Sequence, residues 1–123
     1  MTAGPLSVVV EPPVIAAVAA GAAAATPGVM RLEPGIRGLV STVLRAGRRR
    51  WKGIDPAPAE GVRVRRGETG LLVQVDIAIA AGRPAVEVGH AVQEEVARVV
   101  WEQTGQRVAE VWVTILDIEP EVR

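Results

Sequence analysis

The sequence predicts an α+β fold: a two-layer sandwich in which a mixed β-sheet carries two helices packed on one face. Three observations predict it. Leu71, Val73, Val75, Ile77 and Ile79 alternate with other residues over ten positions, the period of a strand. Val88, Val92, Val96, Val99 and Val100 recur at helical spacing and form a single apolar stripe. An alanine-rich run lies between Pro12-Pro13 and Pro27-Gly28, so a helix there has proline at its start and a breaker at its end. With 123 residues the chain has the length of one domain.

The elements follow in the order β-α-β-loop-β-β-α-β. Residues 1–5 are expected to be a disordered N-terminus. Residues 6–10 form a short β-branched run and read as a strand, closed by Glu11-Pro12-Pro13. Residues 14–25 read as the first helix and residues 29–33 as a second strand. Residues 34–58 read as a basic loop or short helix, with Ile36, Leu39, Val40, Val43 and Leu44 at three- and four-residue spacing. Valines alternate with arginines over 61–66, and the glycines at 67 and 70 turn the chain into the strand at 71–80, which together make a hairpin. The second helix ends at Thr104-Gly105, and residues 108–118 are the last strand. One domain therefore spans 6–119, with 120–123 as a tail.

Composition narrows the function classes. The chain has no cysteine, which excludes disulfides, thiol nucleophiles and thiolate metal sites. Phe and Tyr are absent, and the aromatic residues are Trp51, Trp101 and Trp112. Fourteen basic and fourteen acidic residues cancel, yet they are distributed unevenly. Residues 31–66 carry ten Arg or Lys against three acidic residues, whereas 67–123 carry four against ten. Such polarity suits an electrostatic partner or contact between copies of the chain, though an unevenly charged solvated surface gives the same numbers. The uncharged stretch 12–30 contains no Leu, Phe or Trp and is broken by prolines, so neither a membrane span nor a signal peptide is expected. The expected location is the cytoplasm.

No constellation for catalysis, cofactor or metal binding is found. His90 is the single histidine and lies opposite the valine stripe, where a surface histidine is the ordinary reading. Asp117, Glu119 and Glu121 read as a frayed acidic C-terminus rather than as an acid-base pair. The chain has neither a Gly-Lys-Ser/Thr phosphate loop nor a Gly-x-Gly-x-x-Gly run.

Two groups of residues stand out as candidate contact sites. Arg45, Arg48, Arg49, Arg50, Trp51 and Lys52 can bind a protein, a lipid surface or nucleic acid, since guanidinium groups pair with phosphate and carboxylate alike. Trp101 falls about 160° from the centre of the valine stripe and should point outward. Trp112, Thr114 and Leu116 share the sheet face turned away from the helices, with Leu72, Ala78 and Ala80 beside them. That face is expected to be bare and apolar. Trp101, Trp112 and Leu116 are accordingly candidates for self-association, because Trp is enriched at interface hot spots.

The layout resembles the alkaline shock protein family of bacterial envelope stress response proteins. The resemblance rests on Ser7-Val8-Val9-Val10, Pro13-Val14-Ile15-Ala16-Ala17-Val18-Ala19, Pro27-Gly28-Val29 and Lys52-Gly53-Ile54. It continues through the strand at 73–79 and Thr104-Gly105 to Val111-Trp112-Val113-Thr114-Ile115, covering about residues 6–119. The family usually has Asn or another polar residue where Trp112 stands, and a small one where Asp117 stands. The resemblance implies a non-enzymatic cytoplasmic scaffold without a cofactor, forming homo-oligomers and held at the membrane by a small membrane-anchored protein partner. A small nucleic-acid-binding module using 45–52 is the alternative.

Overall fold

The computed structural model describes residues 7–33 and 61–120. Within them the order is α1 (Pro12–Ala24), β1 (Val29–Leu32), β2 (Val62–Arg66), β3 (Leu71–Ala80), α2 (Ala85–Thr104) and β4 (Val108–Glu119). β3 is the centre of a mixed sheet. β1 and β2 pair antiparallel along one of its sides, β1 from Val29↔Ile79 to Leu32↔Ile77 and β2 from Val62↔Val75 to Arg66↔Leu71. β4 pairs parallel along the other side, reached through α2, as a parallel neighbour requires a crossover.

The expected α+β sandwich is present with one element changed. Ser7-Val8-Val9-Val10 forms no strand; β-branched residues favour a strand only when an edge is there to receive them. The basic candidates Arg45, Arg48, Arg49, Arg50, Trp51 and Lys52 lie outside the described residues.

Both helices cover the face that carries Leu71, Val73, Val75, Ile77 and Ile79. Onto it α1 places Ile15, Ala16, Ala19, Ala22 and Ala23, and α2 places Val88, Val92, Val96 and Val100, all buried. Small alanines let α1 approach the sheet closely, while the stripe on α2 matches the sequence reading except that Val99 is half-buried. Burying one such Val or Ile side chain stabilises the fold by about 1.5–3 kcal/mol. Pro12 and Pro13 occupy the first turn of α1, where a missing N–H costs no intrahelical bond. Gly105 ends α2 in the left-handed conformation at φ 72°, its N–H donating to the Trp101 carbonyl at 2.9 Å.

Candidate functional site

The sheet face away from the helices is built from alternate residues of all four strands. Cross-strand pairing sets Arg63 beside Gln74, Gln74 beside Trp112, Asp76 beside Thr114, and Arg31 beside Ala78. Trp112 is 62% exposed, and its indole N–H donates to Glu110 Oε1 at 2.8 Å. This hydrogen bond satisfies the ring's polar atom and leaves its apolar surface in solvent. Trp101, 58% exposed on the outer side of α2, points outward as its helical angle requires. Its helix lies on the opposite side of the sheet, so the two tryptophans do not form one patch.

Leu116 is also exposed, at 45%, but its position differs from the expected alternation. The register with β3 shifts there: Ile77 faces Ile115, whereas Ala78 faces Asp117. Leu116 is the extra residue of a bulge, and Asp117 takes the place opposite Ala78. Asp117 and Glu119 thus belong to a paired strand and not to a frayed terminus; Glu121 lies outside the described residues.

The face is also less bare than the sequence suggests. Arg31 donates from Nη1 to Glu119 Oε1 at 2.8 Å, makes a second bond from Nη2 to Glu119 Oε2, and lies 2.9 Å from Glu33 Oε2. Since Arg31 stands opposite Ala78 and Glu119 opposite Ala80, this ion pair bridges the central strand over two alanines. Ala78 is buried as a result. The hydrogen bond from Arg31 lowers the Glu119 pKa, and the same bond raises that of Arg31.

Asp76 is the functional-looking residue that sequence reading missed. It is buried, accepts a long hydrogen bond of 3.5 Å from Gln74 at Oδ1, and has Arg63 at 3.6 Å from Oδ2, which has no hydrogen-bond partner. Burial raises its pKa; the Arg63 charge and the Gln74 bond oppose that rise without cancelling it. Its main chain receives the Glu33 N–H at 2.8 Å and donates to the Gly61 carbonyl at 2.9 Å. Asp76 therefore marks the place where the chain leaves the sheet after Glu33 and returns at Gly61. At Gly61 φ is 82°, and a Cβ would stand 2.8 Å from the Glu33 carbonyl oxygen, so only glycine fits.

The β4 strand closes one side of the sheet. Among the described residues nothing pairs with its outer side, apart from Gln93, whose Nε2 donates to the Val111 carbonyl at 2.9 Å. On the helix layer, an open groove of ≈ 550 Å³ runs between α1 and α2 over Val14, Val18, Gly21 and Val99. Its bank is the Arg98 guanidinium paired with Glu95 and Glu102, an exposed arrangement with no convergent reactive groups. Among the described residues no cluster of three potential metal ligands occurs, and no helix is long and apolar enough to cross a membrane. His90 is exposed on α2.

These features define a small two-layer α+β domain whose distinctive surface is a sheet face with an exposed tryptophan and ion pairs. The chain belongs to the alkaline shock protein family, described as having a cell envelope-related function, whose model matches residues 2–120. No curated protein matches the sequence. Among solved structures, a MamM CTD variant in a copper form aligns at 17% identity and a TM-score of 0.44, covering 88% of this chain and 95% of that chain. A manganese form of another MamM CTD variant aligns at 16% identity and a TM-score of 0.42, covering 89% and 95%.

Proposed function

We propose that this protein is a non-enzymatic scaffold of the cell envelope, cytoplasmic, self-associating through the Trp112 face and brought to the membrane by a membrane-anchored protein partner. Trp112 is the observation that carries the reading: an indole 62% exposed on a sheet face, where a monomer gains nothing from it and an interface gains a large apolar contact. Leu116 extends that contact on the same strand, and Trp101 offers a separate one on α2. The segment 45–52, with Arg45, Arg48, Arg49, Arg50, Trp51 and Lys52, supplies the partner contact. Family membership supports the link to the envelope.

Size-exclusion chromatography with light scattering tests this reading, recorded at 260 and 280 nm and at two salt concentrations. A mass above the 12.9 kDa of one chain, lowered by Trp112→Ser, is expected. A wild-type protein at the mass of one chain would remove the self-association. If it also carried material absorbing at 260 nm and shed it as salt rose, nucleic-acid binding through 45–52 would replace the scaffold reading.

A further inference from the structure

Two parts of the molecule each lack what the other has. Ser7-Val8-Val9-Val10 has the residues of a strand, with valines on both sides of its alternation, yet it pairs with no strand among the described residues; Val10 packs against the core, while Val8 is 86% and Val9 70% exposed. β4 is a twelve-residue strand, and among the described residues it is paired on one side only. Natural sheets protect such an edge with charged side chains, Pro, bulges or a covering element. The acidic residues and bulges of β4 lie towards its ends, at 109–110 and 116–119, so 111–115 has no charge, Pro or bulge, and the Gln93 amide occupies just the Val111 carbonyl.

We propose that residues 7–9 of one copy add as a strand to the outer side of β4 in a second copy, alongside residues 111–115. This rests on the self-association reading above and specifies how it is made. Valines on both sides of the added strand suit the position. One set would lie beside Val111, Val113 and Ile115 under the helix layer, the other beside Trp112 on the open face.

A second copy, rather than the same chain, is the source because of where the segment is held. The Val10 carbonyl accepts from Arg66 Nη2 at 3.3 Å, and Arg66 is the last residue of β2. In the sheet β2 and β4 lie on opposite sides of β3, so a strand beyond β4 is three strand spacings, about 14 Å, from β2. Only Glu11 separates Val10 from α1, which leaves no slack to cross that width.

The chain has no cysteine, so single-cysteine variants give a direct readout. Val8→Cys or Val9→Cys protein is mixed with Thr114→Cys protein under mild oxidation, and a disulfide-linked pair of chains is expected from one of the two mixtures. In parallel, Val9→Pro removes a backbone donor that has no hydrogen-bond partner among the described residues of its own chain. It is expected to weaken self-association at least tenfold while leaving circular dichroism and the thermal midpoint of the single chain unchanged. If Val9→Pro associates like wild type and neither mixture cross-links, while Trp112→Ser still lowers the mass, strand addition is wrong and the Trp112 reading survives. A wild-type protein that stays at the mass of one chain overturns both.

Discussion

The two faces of the sheet are made from the same strands and obey different rules. On the helix side every buried position of β3 is Val, Ile or Leu, matched by alanines of α1 and valines of α2. On the open side the same strand carries Leu72, Gln74, Asp76, Ala78 and Ala80, and its neighbours add Arg31, Arg63, Trp112 and Glu119. The first face is interchangeable apolar volume, which fixes the fold. The second holds individually placed groups: an indole in solvent, a carboxylate with an unsatisfied oxygen and an ion pair laid across two alanines. Function should therefore be sensitive on the open side and stability on the covered side.

The sharpest way to break that division is a cavity under the helices. Ile77→Ala is expected to cost about 2–5 kcal/mol, read as a lowered urea midpoint with an unchanged slope. Gly61→Ala comes next, since it forces a positive φ and a Cβ against the Glu33 carbonyl where the chain re-enters the sheet. A loss of about 1–3 kcal/mol in the same measurement is expected. A wild-type midpoint for either variant would contradict the packing described here.

On the open face two carboxylates pull in opposite directions. The Asp76 pKa is raised in the folded state, so its contribution is fully present below the ordinary carboxylate value and is lost as pH rises through the raised value. Glu119 is lowered by Arg31, so its contribution is present above the ordinary value and is lost as pH falls through the lowered one. Urea unfolding of Asp76→Asn from pH 4 to pH 7 should show less loss of stability with rising pH than wild type; parallel curves would contradict the burial of this group. The smallest effect on stability is expected from Trp112→Ser, within about 0.5 kcal/mol of wild type for the single chain, because the indole touches solvent already.

The covered face is legible in the sequence because its signal is periodic. The alternation from Leu71 to Ile79 and the stripe from Val88 to Val100 each repeat enough times to define a face, and the outward angle of Trp101 follows from the same geometry. What is not legible depends on register between distant strands. Nothing local to Leu116 announces a bulge, and Arg31 and Glu119 meet only because Ala78 and Ala80 lie between them on a third strand. Asp76 alternates like any outward residue, and its burial comes from neighbours remote in sequence. Residues 7–10 show the converse: their side chains favour a strand, but a strand also needs an edge, and the described part of the single chain offers none within reach.

Amide hydrogen exchange across a concentration series tests most directly whether copies meet at the outer edge of β4. Exchange in β4, from Val111 to Ile115, is expected to slow as concentration rises, while that of the helical amides of α2 around Val92 and Val96 is not. Exchange in β4 that is equally fast at every concentration would contradict the strand addition, because the outer edge of β4 would then carry no contact between copies.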